Sequence, residues 1–327
     1  MMAWAISPDT NSAKANLERG SPAAALAMQN SSNNSMIEGR AKPPTATLPV
    51  IALLAGAIFL VLSVSPHAAV APKSTQSFYL GFDRNTYPGD AAIPVLRKTF
   101  TFASYWLSPP PGEKTNTWRG KRELFRAQGF GFLVLYRGRD SKEFKNVAGA
   151  IAKGVQDGKN AAAAAKSEAF APGTIIFLDI EEGGRLPAAY HAYLHAWHDE
   201  LAKAGFSSGV YCSGMPVKES PGLTITTADD IRDNAASHDF VIWAYNDACP
   251  PSPGCAFPEN PPSPSSSGIG NATVWQFAQS PRRKEFTAHC PAKYAPDGNC
   301  YAPSDTAHKW FLDVNSATSP DPSGGAK

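Results

Sequence analysis

The sequence predicts an α/β chain folded as a (β/α)8 TIM-like barrel, on three observations. Eight short apolar runs follow one another, most nearly continuous, as strands buried on both faces are. Helix-like stretches with recognisable start and stop signals separate several of them. Removing an N-terminal export segment from the 327 residues leaves 256. That is close to the roughly 250 residues of such a barrel.

The export segment is residues 1–71. Leu48 to Val64 is a run of 17 residues without a charge, short of the about 20 a spanning helix needs. Arg40 and Lys42 precede it, and Ala69-Val70-Ala71 has the small-x-small pattern of a signal peptidase site. Translation from Met36 would reduce a long leader to an ordinary signal peptide. Cleavage after Ala71 and retention as an uncleaved membrane anchor both fit. Either sends the expected barrel, residues 72–315, out of the cytoplasm, as a secreted, periplasmic or cell-envelope protein. Residues 316–327 are expected to form a disordered tail.

The first strand is SFYLGFD at 77–83 and the second FTFASYW at 100–106. A charged amphipathic helix over 118–128 leads to the third, FGFLVLY at 130–136. Ala-rich 144–170 supplies a helix or two before the fourth, TIIFLDI at 174–180. The helix over 187–205 opens on Pro187 and closes on Gly205, ahead of SSGVYC at 207–212. The helix over 227–237 opens on Thr-Ala-Asp-Asp, a capping pattern, ahead of FVIWAY at 240–245. The alternation then lapses. Residues 247–271 hold seven prolines, and 279–308 are polar and irregular. Long loops therefore replace helices around the last strands, TVWQF at 273–277 and WFLDV at 310–314. An open doubly wound sheet is the other arrangement this alternation allows.

The chain carries 30 Lys+Arg and 28 Asp+Glu, a net charge of +2, with 43% apolar residues. That balance excludes a polyanion-wrapping protein and fits a globular core; no nucleic-acid partner is expected. No Walker loop, no GxGxxG after a strand, no GxSxG and no CxxC pair occurs, so neither a cofactor nor a metal is expected. All five cysteines lie in the exported part, where disulfides are permitted. The short-range pairs Cys249–Cys255 and Cys290–Cys300 are the simplest expectation, although connectivity cannot be read from sequence. Cys212 is left over as a buried thiol.

Acidic residues close three of the apolar runs: Asp83 the first, Asp179 and Glu181 the fourth, Asp313 the eighth. Carboxyl-terminal strand ends build the active sites of parallel barrels. In a closed barrel the first and eighth strands are neighbours, which sets Asp83 beside Asp313. Strand side chains alternate faces, so Asp179 and Glu181 share one face while Leu178 and Ile180 pack outward. Two carboxylates on one face cannot both ionise freely, and one becomes a proton donor at neutral pH. Glycoside hydrolysis uses such a pair. Clustered carboxylates can also bind Ca²⁺ or Mg²⁺, the lesser reading. Glu182 faces the other way and is read as solvated or capping.

Gly81-Phe82-Asp83, Phe177-Leu178-Asp179-Ile180-Glu181, Gly209-Val210-Tyr211, Trp243-Ala244-Tyr245, Trp275-Gln276 and Leu312-Asp313-Val314-Asn315 follow in the order seen in glycoside hydrolase family 25 lysozymes. The chain resembles most the related glycoside-hydrolase-like domain family of secreted bacterial proteins, supported by Phe102 to Ser108 and by Gly205-Phe206. The resemblance spans about residues 77–315. It implies a barrel with a sugar-polymer cleft, Glu181 as general acid, and Asp179 beside it orienting an N-acetyl group or stabilising an oxazolinium-type intermediate. Asp83 and Asp313 complete an acidic floor. Arg84-Asn85 stand where the lysozymes usually have Val-Ser, and the second-strand Glu-Gly and third-strand Tyr-His-Phe motifs have no match.

Sugar rings stack on aromatic side chains. Tyr105, Trp106, Tyr136, Tyr211, Trp243, Tyr245 and Trp275 lie at or near strand ends and suit a saccharide groove; of these all but Trp106 are candidates for substrate contact, as are Gln276 and Asn315. His191, His195 and His198 share one helix face and are read as solvated, and Arg282-Arg283-Lys284 as a solvated basic turn. The expectation is a monomeric, secreted protein that cleaves a glycosidic bond in a cell-envelope or environmental polysaccharide such as peptidoglycan. The alternative is a non-catalytic carbohydrate-binding barrel.

Overall fold

The computed structural model describes residues 77–290 and 293–327. The expected export segment, with its apolar run, lies outside the described residues. The strands are β1 (Tyr79–Asp83), β2 (Phe102–Trp106), β3 (Gly131–Arg137), β4 (Ile175–Asp179), β5 (Ser207–Ser213), β6 (Val217–Ser220), β7 (Leu223–Ile225), β8 (Val241–Tyr245), β9 (Ala272–Ala278) and β10 (Asp313–Ala317). The helices are α1 (Ile93–Leu96), α2 (Arg122–Ala127), α3 (Val147–Ser167), α4 (Ala188–Lys203), α5 (Thr227–Asp233) and α6 (Lys284–Thr287). Eight strands close a barrel in the order β1-β10-β9-β8-β5-β4-β3-β2, while β6 and β7 form a separate two-stranded sheet among the described residues. That hairpin is short and mostly exposed, so no apolar alternation marks it in the sequence.

The last strand corrects the expectation. β10 lies three residues later than 310–314 and runs antiparallel to both β9 and β1. A parallel return needs a crossover to the far end of the barrel, usually through a helix. Among the described residues the connection from β9 holds only the four-residue α6, and the chain re-enters the sheet from the mouth. Asp313 therefore opens its strand instead of closing it. It still pairs in register with Asp83.

The tail is a second correction, because residues 318–327 are ordered. Ser323 accepts the Ile175 N–H on its carbonyl (2.8 Å) and the Val134 N–H on Oγ (2.9 Å), and donates its own N–H to the Phe132 carbonyl (2.8 Å). Asp321 Oδ1 accepts the Phe132 N–H (2.9 Å). The segment thus bonds to β3 and β4 at their amino-terminal ends, ahead of where those strands pair with each other. A Cβ at Gly131 would come within 2.0 Å of the Pro320 carbonyl oxygen, so the close approach requires glycine there.

The cysteine pairing is the third. The disulfides are Cys249–Cys290 and Cys255–Cys300. They lace the loop after β8 to the loop after β9, whereas the short-range pairs would have closed each loop on itself. Proximity along the chain misled because both loops fold over the same rim. Cys212 is free and buried, and burial pushes its thiol pKa up.

α3 and α4 pack closely. α3 starts where Asn146 Oδ1 accepts the Gly149 N–H (2.8 Å). Its Gly154 and Gly158 face α4, where a Cβ would come within 2.4 Å of the Tyr193 carbonyl oxygen and 2.7 Å of Glu200 Cβ.

On the other side of α4 the three histidines are not simply solvated. His191 Nε2 lies 3.0 Å from Asp230, His195 stacks on His238 with ring centroids 4.2 Å apart, and His198 Nδ1 bonds Ser208 Oγ (2.6 Å). Asp199 and Asp239 stand nearby. Burial, and His238 after it, holds His195 and His198 below the ordinary 6.5. The unfolded chain therefore takes up more protons just below pH 6.5 than the folded one. The contribution of these two histidines to stability is expected to fall as pH drops through that window and to level off once the folded groups are protonated, opposite in sign to the contribution of any buried carboxyl with a raised pKa. Thermal melts of the wild type and of His238→Phe between pH 7.5 and 5 check this by difference: the variant should lose less stability, or gain more, as pH falls.

Candidate active site

The mouth of the barrel stands on an aromatic floor. Phe102, Phe177 and Trp243 are buried. Gly81 is the register partner of Phe102 and Gly209 that of Phe177. A Cβ at either glycine would come within 2.0 or 2.5 Å of the facing ring, so glycine makes room for the aromatic. Every second residue along a strand shares a face. Two residues above Gly81 is Asp83, above Phe177 is Asp179, above Gly209 is Tyr211, and above Val274 is Gln276.

Asp83, Asp179, Glu181 and Asp313 line one cavity of about 150 Å³, together with Trp106, Tyr211, Trp243 and Gln276. Gln276 organises the β1–β10 side. Its Nε2 donates to both oxygens of Asp83 (3.0 and 3.1 Å) and reaches Asp313 at 3.5 Å. Its Oε1 accepts from Tyr211 Oη (2.8 Å) and Gln279 Nε2 (2.9 Å). Asn315 Nδ2 donates to Asp83 (2.6 Å), and Trp243 Nε1 donates to Asn315 Oδ1 (2.9 Å). Ser280 N–H donates to Asp313 (2.5 Å). Asp179 is less supported, since its buried Oδ2 has no partner.

Too few donors in a dry place raise carboxyl pKa values. Burial pushes Asp83 up to about 6, against the donors Asn315 and Gln276. Burial, then repulsion from Glu181 and Asp83, drives Asp179 well above the usual 3.8. Burial and the charge of Asp83 do the same to Asp313. Glu181 is raised by desolvation, while Asp179 and Arg283 pull it down. The cluster thus retains protons that isolated carboxyls would have lost.

This costs stability. Between about pH 4 and 6 the folded protein holds a proton on Asp83 that the unfolded chain has released, so that contribution is lost as pH rises through the window. Asp83→Asn is expected to raise stability at pH 7 by up to about 3 kcal/mol, less the cost of turning one of two donors away from the new amide. Thermal melts at pH 4 and pH 7 check it, with the gain confined to pH 7.

The predicted contact residues divide by strand face. Tyr211, Trp243 and Gln276 line the cavity. Asn315 is buried and holds Asp83. Tyr245 lies 5.2 Å from the Tyr211 ring without lining the cavity. Tyr136 lines a neighbouring cavity. Trp275 and Tyr105 do not reach the site. Trp275 is fully buried and donates Nε1 to the Asn246 carbonyl. Tyr105 is fully buried and donates its hydroxyl to Glu168 (2.5 Å). Both sit one residue off the inward parity. Glu182 takes the Ser141 N–H, a capping role.

Sequence reasoning missed Asn85 and Gln279, which also line the cavity, and two arginines. Arg137 closes β3 as the register partner of Asp179, and draws Asp179 downward. The strand-end criterion would have found it had it been applied to cations. Arg283 is not in a solvated turn. Its Nε donates to the fully buried Asp247 (3.0 Å) and its guanidinium lies 5.6 Å from the Tyr245 ring centroid. Arg84 rests 5.0 Å over the Phe311 ring. Among the described residues, no group of His, Cys, Asp and Glu is arranged to hold a metal ion.

The family model described as "Rv2525c-like, glycoside hydrolase-like domain" matches residues 108–252, a stretch that contains Asp179 and Glu181. The resemblance drawn from the sequence motifs is therefore supported. Solved structures similar to this chain include an uncharacterized protein of B. stearothermophilus, at 20% identity over 73% of this chain and 95% of that one, with a TM-score of 0.46. The Mycobacterium tuberculosis Tat-secreted protein Rv2525c is similar at 14% identity over 76% and 98%, with a TM-score of 0.45. A family GH25 lysozyme from Aspergillus fumigatus is similar at 11% identity over 75% and 95%, with a TM-score of 0.41. No curated protein sequence matches the chain.

Proposed function

We propose that this chain, which carries a glycoside hydrolase-like domain, is an exported enzyme that cleaves a glycosidic bond in a cell-envelope or environmental polysaccharide. The observation that carries the reading is the convergence of Asp83, Asp179, Glu181 and Asp313 on one cavity at the barrel mouth. Glu181 is the most exposed of the four and the one able to meet a leaving oxygen. It gives its proton to the glycosidic oxygen as the C1–O bond breaks, and recovers a proton when water adds to C1. Asp179, buried beneath it, stabilises the cationic centre or orients the group that attacks it. Asp83 and Asp313 set the field around the pair, and Gln276 holds them in place. Export accords with the two disulfides that lace the rim.

The test is reducing-end release by the purified protein from peptidoglycan, chitin and plant glucans. Release from at least one is expected. A chain that binds one of these polymers without releasing ends would be a carbohydrate-binding barrel instead.

A further inference from the structure

We infer that the Arg283–Asp247 ion pair is the device that sorts the carboxyls of this site, an oriented pair at the rim whose positive end bears on Glu181 and whose negative end bears on Asp313. Arg283 and Asp247 are thus positioning residues, which make Glu181 the carboxyl that gives up and recovers a proton. The inference rests on the glycan reading above for the role of Glu181 and adds what assigns that role.

The geometry comes first. Asp247 lies two residues beyond β8 and is fully buried, while Arg283 stands one residue ahead of α6 with its side chain 28% exposed. Arg283 grips Asp247 with two donors, Nε at 3.0 Å and Nη2. Nη2 also meets Met215 Sδ (3.0 Å), and the guanidinium lies 4.7 Å from the Phe286 ring centroid and 5.6 Å from that of Tyr245. The Tyr245 ring is 5.2 Å from that of Tyr211, which lines the cavity of Asp83, Glu181 and Asp313. Neither Arg283 nor Asp247 lines that cavity, nor the second one, also of about 150 Å³, that Glu181 shares with Arg137, Arg139 and Asp140. The pair therefore acts through its field and not by contact.

The pair is not needed as a clamp. The disulfide Cys249–Cys290 already joins the same two loops, and the Cys249 N–H donates to the Phe286 carbonyl (3.0 Å). Against two apolar side chains of similar volume, a buried ion pair adds little or no stability. What it does add is a fixed dipole where the dielectric is low.

Its two ends meet different carboxyls. Glu181 faces Asp179 and Glu182 on its own strand and loop, Asp83 and Asp313 from β1 and β10, and Tyr211 and Tyr245 from β5 and β8. Arg137, Arg139 and Asp140 face it from β3 and the loop beyond. Of these cations, Arg139 is bound to Asp157 (2.5 and 2.9 Å), and Arg137 draws on Asp179. Arg283 is the cation that pulls Glu181 down against its burial. Asp247 instead adds to the repulsion that holds the proton on Asp313. A general acid works best when its proton affinity lies near the working pH. A cation toward Glu181 and an anion toward Asp313 separate two carboxyls that share one cavity, so that one exchanges its proton while the other keeps it.

The test is the titration of the Glu181 and Asp313 carboxyl carbons by NMR in the full chain, read without turnover. In the double variant Asp247→Asn with Arg283→Gln, which leaves no unpaired charge behind, the Glu181 midpoint is expected to rise by about half a pH unit or more and the Asp313 midpoint to fall by a similar amount. Asp247→Asn alone leaves an arginine that can reach water, and should lower both midpoints. Arg283→Lys keeps the charge and should hold Glu181 near its wild-type midpoint. The high-pH limb of reducing-end release should follow Glu181 in each variant. A purely structural pair would not move the two carboxyls in opposite directions. Midpoints that stay put in the folded variants, or that move together in the double one, overturn the inference and leave the glycan reading intact. A wild-type chain that releases no reducing ends overturns the glycan reading alone, because the opposite movement of the midpoints is measured without it.

Discussion

Glu181→Gln is expected to lower glycosidic cleavage by about 10²- to 10⁴-fold, the range contributed by a positioned general acid. Glutamine keeps the shape of the side chain and removes its transferable proton. The fold should not suffer. Residue 181 lies beyond the end of β4 and is solvent-exposed. Removing a negative charge beside Asp179 also relieves one of the repulsions that raise that group. Far-UV circular dichroism should be unchanged and the melting temperature equal or higher. A variant that keeps wild-type turnover would exclude Glu181 as the acid.

Deleting residues 319–327 should destabilise the barrel by about 3 kcal/mol or more. The N–H groups of Phe132, Val134 and Ile175 would lose their acceptors on Asp321 and Ser323, and each buried donor left unmet costs about 1–3 kcal/mol. The tail also covers Phe170, which a Cβ at Gly325 would approach to 2.9 Å. For a domain of this size the melting temperature should drop by about 6 °C or more. A disordered tail would leave it unchanged, so one melt decides between the two descriptions.

Much of this barrel was legible because burial on both faces writes strands as apolar runs. The first seven expected strands lie within a few residues of the observed ones. The pairing of Asp179 with Glu181 on one face followed from strand parity alone. The same parity, applied to the aromatics, would have separated Trp106, Tyr211 and Trp243 from Tyr105 and Trp275. Position near a strand end was used in its place, and it does not distinguish inside from outside. The direction of β10 was hidden because a strand's local pattern is the same read up or down the barrel. Asp313 was selected by a wrong premise about that direction, and the antiparallel register restores it to Asp83's side. The tail was illegible for another reason. Its contribution lies in backbone and short polar groups, Asp321 and Ser323, whose composition looks like any solvated end. The disulfide pairing depended on two loops folding over one rim, which no spacing records.

The most direct measurement is the titration of the Asp179 and Glu181 carboxyl carbons by NMR in selectively labelled protein, with Asp179→Asn and Glu181→Gln to assign the signals. Both carboxyls should hold their protons above the ordinary values of 3.8 and 4.5, in two coupled steps, and Glu181→Gln should move the Asp179 midpoint down. Two independent titrations at ordinary values, each indifferent to substitution of the other, would mean that the carboxyls do not share a desolvated site.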